Sequence, residues 1–333
     1  MRKTYFLILC FIAQDSLAQG RFSQFYSMPL LFNPANTGRF NKSYRMAGGF
    51  RNEVNAVSSF KQSAISIESK ILNSIVPEND CLAMSIVGID EKSLGEGTKN
   101  DYFGVSLAYQ KGLDPEGEQQ IGVGFQFIRG RKRIDPPTYV FEDQLNAWIQ
   151  SGFTNINIFQ STPIDVSYND LNAGIVYQGK INTKNFISVS TTLYHANKPH
   201  KSFSGGELIL DRQFGGHIGW ENRPSERNKV YSFLLVNFLE NQETILGGAI
   251  YQSTISTKRY EIEFGGSFKT NPILGQFIIP MIGLNFREFL LNMSYDINIS
   301  AKNTQRRGAT EITLTYTNAT TRSRFLENKF IRY

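Results

Sequence analysis

From Tyr44 onward the chain alternates apolar and polar residues with a period of two. Tyr44, Met46, Gly48 and Phe50 interleave with Arg45, Ala47, Gly49 and Arg51. Phe103, Val105, Leu107 and Tyr109 interleave with Gly104, Ser106, Ala108 and Gln110. The pattern is cleanest near the end, where Leu291, Met293, Tyr295 and Ile297 flank Asn292, Ser294 and Asp296, and Ile312, Leu314 and Tyr316 flank Thr313 and Thr315. This is the signature of strands with one apolar and one polar face. It predicts 14 of them: 44–52, 60–68, 82–90, 101–111, 119–129, 170–178, 185–193, 212–221, 229–239, 243–252, 257–268, 276–286, 287–297 and 309–317. Many run about 9–11 residues, the length that crosses a bilayer when tilted; strands of soluble proteins average about 5–6. The expected fold is therefore all-β, a transmembrane antiparallel β-barrel of about 14 strands. An even count puts both chain ends on the periplasmic side. The two longest connections, 130–169 and 194–211, then fall outside.

Composition changes the picture at the N-terminus. Arg2 and Lys3 precede the apolar run Tyr5–Ala13, and Ser16-Leu17-Ala18 is a small-x-small cleavage site. Residues 1–18 read as a signal peptide, 19–43 as an N-terminal periplasmic or plug-like segment, 44–317 as the barrel and 318–333 as a tail. Cleavage before Gln19 would lower the formal charge from +6 to +5, through loss of Arg2, Lys3 and Asp15, and would leave Cys81 as the lone thiol. No disulfide is then available to an exported chain. A run of roughly 20 apolar residues is absent, so no transmembrane helix is expected. The small basic excess reads as ordinary surface with some contact to anionic lipid headgroups.

Candidate chemistry is sparse. The polar faces carry Arg45, Arg51, Glu68, Glu261, Glu263, Asp296 and Glu311. In a barrel they point into the lumen, where charges are costly unless matched, so structural arginine–carboxylate pairs are expected. The run Arg129-Gly130-Arg131-Lys132-Arg133 reads as a solvated loop that could attract anions. His195 and His200 lie in one turn without an acidic or thiol third ligand nearby in sequence, and His217 reads as an inward polar strand residue. Metalloprotease, nucleophile-elbow, phosphate-loop and dinucleotide motifs are all absent. Neither enzymatic activity nor a cofactor is expected, and no nucleic-acid partner.

One stretch does not alternate. Arg21–Gly38, RFSQFYSMPLLFNPANTG, is rich in aromatics and ends in Asn33-Pro34-Ala35. Pro34 biases Asn33 toward extended backbone, and Gly38 permits a turn closed to other residues. Ser23-Gln24-Phe25-Tyr26 with Asn33-Pro34-Ala35 and Gly38 resembles the mature N-terminus of the PorP/SprF family of type IX secretion and gliding proteins. Further matching stretches follow in order: Tyr44-Arg45 with Phe50-Arg51-Asn52, Phe141-Glu142-Asp143-Gln144 ahead of Gly152-Phe153, Asp170–Tyr177, His195–Pro199 with Ser202-Phe203, and Gly308–Ile312. Glu53 and Val54 stand where the family's strand end has Gln-Trp. The resemblance implies a non-enzymatic outer-membrane barrel, related in shape to fatty-acid transporters. It implies service to type IX secretion or gliding, with partners among the machinery and a secreted surface protein or adhesin. Phe22, Phe25, Tyr26, Asn33 and Pro34 are the expected plug or partner-binding residues. A channel or hydrophobic-solute transporter on the same scaffold is the alternative.

Overall fold

The computed structural model describes residues 22–55, 59–72, 75–93, 97–135, 163–203, 206–239, 242–256, 260–272, 274–300 and 306–318. Among the described residues sixteen strands form in chain order: β1 Tyr44–Asn55, β2 Ser59–Ile71, β3 Cys81–Ser93, β4 Thr98–Gly112, β5 Gln119–Ile134, β6 Ile164–Asn182, β7 Asn185–Tyr194, β8 His200–Phe203, β9 Gly206–Ile209, β10 Gln213–Ser225, β11 Asn228–Leu239, β12 Gln242–Ser256, β13 Tyr260–Asn271, β14 Gly275–Phe286, β15 Phe289–Asn298 and β16 Arg306–Asn318. Fourteen of them close into one antiparallel barrel in sequence order, sealed by pairing of β1 with β16. β8 and β9 form a separate hairpin between β7 and β10.

Closure pairs both edges of each of the fourteen barrel strands, which a bilayer demands because lipid offers no hydrogen-bonding partner. Burial then inverts the order of a soluble protein. The outer face carries Ile65, Phe103, Phe125, Phe264 and Ile282, all more than half exposed. The inner face holds polar side chains such as Gln62, Gln110, Asn172, Asn292 and Thr313, all nearly inaccessible. An apolar exterior and a polar interior identify a membrane barrel.

Its two ends differ. At the end where β1 begins and β16 finishes, the connections include two-residue turns at 183–184, 226–227 and 287–288. The opposite end carries the long connection after β5 and the β8–β9 hairpin, and is the outer end by the usual asymmetry. An aromatic girdle marks the turn end: Tyr44 and Phe289 pack on Tyr316, and Tyr260 on Phe286, with ring centroids 4.8–6.0 Å apart.

The expected strands all form in the expected order, but several run further. β5 continues through Arg129–Ile134 and β6 starts at Ile164, so the arginine run is strand rather than loop. Backbone pairing persists beyond the apolar belt because the ladder needs no apolar side chain once it leaves the hydrocarbon core. Phe141-Glu142-Asp143-Gln144, Gly152-Phe153, the signal segment and the tail beyond Asn318 lie outside the described residues.

Candidate functional site

The lumen is filled. Residues 22–40 lie inside the barrel, run from its outer half down to the turn end where β1 begins, and are almost wholly buried. Two short 3-10 turns, Pro29–Leu31 and Pro34–Asn36, compact the segment. Each starts at a proline, where the missing N–H costs nothing. Asn33 caps the second turn by accepting from the Ala35 N–H at 2.8 Å, the local reason for Asn-Pro-Ala.

Two carboxylates fasten the segment at its ends. Near the outer end, the Glu311 carboxylate accepts the backbone N–H groups of Ser23 and Gln24 at 2.8 and 2.7 Å. The same carboxylate pairs with Arg51 at 2.9 Å, and Arg51 also reaches Asp296 at 2.7 Å and Glu53 at 3.0 Å. Lys269 stands 3.8 Å from Asp296. The Ser23 hydroxyl donates to Asp296 and accepts from Arg51. Near the turn end, Glu68 accepts the Gly38 N–H at 2.8 Å and pairs with Arg45 at 2.6 Å. Arg45 and Arg51 are both on β1, and each faces its carboxylate directly across the ladder, Glu68 on β2 and Glu311 on β16. Buried carboxylates thus meet a guanidinium on one side and backbone donors on the other, which offsets their desolvation.

Between the anchors the wall receives the segment closely. Gln110 donates to the Ala35 carbonyl at 2.7 Å; Thr192, at 3.0 Å, and Tyr194 donate to that of Phe32. Asn33 donates to the Thr191 carbonyl at 3.1 Å. Gly124 of β5 and Gly174 of β6 face each other across the ladder beneath Asn33-Pro34-Ala35. A Cβ on Gly124 would stand 2.5 Å from the Pro34 carbonyl, so the wall is bare where the backbone lies against it. On the aromatic side Phe25 meets Phe32 and Phe233 edge-on and His217 at a tilt, at centroid distances of 4.9–5.8 Å. Tyr26 donates to Met281 Sδ at 2.9 Å. Two cavities along this packing are about 10 Å³ each, room for a single water.

Phe22, Phe25, Tyr26, Asn33 and Pro34 therefore all lie in this interior, together with Arg45, Arg51 and Glu311. Glu261 and Glu263 lie elsewhere, on the turn-end half of β13. There Glu261 accepts from the Asn285 amide at 2.8 Å and from Gln252, and Glu263 is buried. Glu53, Lys269, Gln110 and Tyr194 escape the sequence reading. Parity does put Glu53 on the face of Arg51, a signal that was available. His195 has an acidic neighbour that its sequence surroundings do not reveal: its Nδ1 lies 2.8 Å from Asp170, in a turn where Asn197 and Ala196 bond the edge of β6. His217 faces inward and its Nε2 lies 2.9 Å from the Tyr231 hydroxyl. Among the described residues no group of three or more His, Cys, Asp or Glu side chains could hold a metal.

Solved structures with the same architecture include outer-membrane barrels described as channels or transporters. The CymD monoaromatic hydrocarbon channel aligns with a TM-score of 0.54 at 8% identity, over 88% of this chain and 93% of that one. The toluene transporter TbuX of Ralstonia pickettii gives 0.52 at 8%, over 88% and 94%, and the toluene transporter TodX of P. putida 0.51 at 8%, over 87% and 93%. At such identity the likeness is one of fold. No curated protein matches the chain. The sequence profile described as "Type IX secretion system membrane protein PorP/SprF" matches residues 16–316, which include the matching stretches from Ser23 to Ile312. The lumenal segment and the closed barrel around it are thus parts of one outer-membrane protein, and the chain belongs to the PorP/SprF family of type IX secretion system membrane proteins.

Proposed function

We propose that this barrel serves type IX secretion or gliding by helping to export, or to anchor at the surface, a partner protein such as an adhesin, and that it does so as a plugged barrel rather than a through-pore. The observation that carries the second half is the lumen, occupied by residues 22–40 and fastened at both ends by Glu311 and Glu68. Family membership supports the first half. With the interior filled, the partner-facing surface is the outer end, where the connections after β5 and β7 lie. Gentle detergent extraction of the tagged protein from its own outer membrane, with mass spectrometry of what co-purifies, tests this. Recovery of type IX components together with one large surface protein supports the reading. A lone heat-modifiable barrel without partners counts against it. Exchange of segments 130–169 and 194–211 with those of a paralogue should redirect partner choice, and unchanged choice would argue against these segments as the contact.

The alternative is a channel for hydrophobic solutes, as the CymD monoaromatic hydrocarbon channel and the toluene transporters TbuX and TodX are. Here it requires the segment to leave the lumen or yield a path beside it. Solute uptake by liposomes holding the intact barrel would favour this reading.

A further inference from the structure

The barrel wall carries a second feature, outside the lumen and unconnected with its filling. On the outward face of β2–β5 a single cross-strand row reads Lys61, Lys92, Lys99, Arg133: each residue stands directly opposite the next in the ladder, and Asp165 of β6 closes the row. Directly opposed side chains have Cβ atoms about 5 Å apart, and like charges so placed repel. Four cations in register are an unfavourable arrangement that nearby carboxylates relieve only in part: Asp165 acts electrostatically on Arg133 and Asp101 on Lys92. Among the described residues, Lys92, Lys99 and Arg133 have no carboxylate in ion-pair contact. The next row inward is mixed, Ser63, Asp90, Asp101, Arg131, and there Arg131 is taken by Asp165 at 2.9 Å.

Its height fixes what it meets. Two rows below the cations lie Ile65, Gly88, Phe103 and Arg129; below these come Ile67, Ile86, Val105 and Phe127, which are wholly apolar. Lys99 is four positions from Phe103, about 14 Å along the strand. At a barrel tilt of about 40° this is about 10 Å above the last apolar contacts, the level of the outer-leaflet headgroups. The side chains project sideways from the wall into that layer, as the alternation of β2, β4 and β5 requires, not upward into the space above the barrel. Elsewhere around the outer end the outward strand positions include the apolar Phe214 on β10, Phe238 on β11, Ile297 on β15 and Val54 on β1, and the acidic Glu243 opposite Phe238. The row of cations is confined to β2–β5.

We infer that the Lys61–Lys92–Lys99–Arg133 row is a binding site for the phosphorylated headgroup of an outer-leaflet lipid. Guanidinium and ammonium groups in a line suit phosphate oxygens, and a multiply charged headgroup would turn the repulsion between them into a shared contact. Sideways projection at headgroup depth favours a lipid over a soluble acidic protein.

The test uses the full-length barrel in neutral detergent, titrated with bisphosphorylated lipid A in mixed micelles. Saturable binding is expected. The triple variant Lys92→Gln, Lys99→Gln, Arg133→Gln should weaken it at least tenfold, and Lys99→Gln alone should weaken it measurably. A control variant at the turn end, Lys111→Gln with Lys184→Gln, should bind as the parent does. Heat-modifiable migration verifies that each variant is folded. Equal loss in the control would mean diffuse charge attraction and overturn the site. So would undiminished binding by the triple variant, or equal binding of dephosphorylated lipid A. Full displacement by millimolar inorganic phosphate would assign the row to a free anion instead of a lipid.

Discussion

The backbone N–H of Ser23 donates to Glu311 at 2.8 Å, although the two residues are separated by 288 positions in the chain. That bond joins the first described residues of the protein to the last strand of the barrel, and Arg51 on β1 holds the same carboxylate from the other side. The seam between first and last strands is therefore where the lumenal segment is fixed. Glu311→Gln removes the charge that Arg51 faces and one strong acceptor for the segment. Breaking a buried pair costs about 3 kcal/mol or more, so the variant should unfold at a clearly lower denaturant concentration. Heat-modifiable migration after graded urea exposure measures this, and a midpoint equal to the parent's would deny the anchor its role.

Gly38 makes the corresponding bond at the turn end, to Glu68, with a φ of +81°. A side chain is strained there, and its Cβ would collide with Ala83 on the wall. Gly38→Ala should cost about 1–3 kcal/mol and loosen the lower end of the segment while leaving the strands intact. Faster amide hydrogen exchange confined to residues around 34–40 is the expected readout. Uniform change over the whole barrel would point to a general folding defect.

Much of this architecture is legible in the sequence, for identifiable reasons. Alternation reports the two faces of a strand directly, so the fourteen strands, their order and the inward side of Arg45, Arg51 and Glu311 all follow from period two. Strand ends do not: Arg129 to Arg133 has the composition of a loop, and only register with β4 and β6 shows it as ladder beyond the apolar belt. Pairing within the lumen is harder still. Arg45 and Glu68 share a hairpin, so their opposition follows once its register is known, whereas Arg51 meets Glu311 only because the barrel closes. Glu53 and Lys269 join the same cluster by side-chain reach, which a linear pattern does not carry. The non-alternating stretch 22–40 shows its turn chemistry in Asn33-Pro34, but its seat against Gly124 and Gly174 depends on which wall residues lack a side chain.

That seat supplies a way to expel the segment without deleting it. Gly124→Leu fills the space where the Pro34 carbonyl lies. Glycine faces the same backbone from β6, so no neighbouring side chain can retract to make room. The barrel, held by its ladder, should still assemble. Planar-bilayer recordings should then show ion conductance absent from the parent. A folded but non-conducting variant would mean that the segment tolerates the intrusion, or that the lumen stays closed without it.

Cys81 offers an independent reporter of the same event. It is the lone thiol of the described chain, 1% exposed, on the inner wall of β3 beside Gly38. With the segment seated, a maleimide has no path to the sulfur, and the native barrel should not label within an hour. Removing residues 22–38 uncovers that wall and should bring labelling close to the rate of the urea-unfolded chain, with Gly38→Ala in between because only the lower turn is loosened. Because labelling reads access to one atom, it separates opening of the lumen from loss of the barrel, which heat-modifiable migration follows separately. Fast labelling of the intact protein in its membrane would mean that the segment leaves the lumen spontaneously, and would shift weight toward the solute-channel reading.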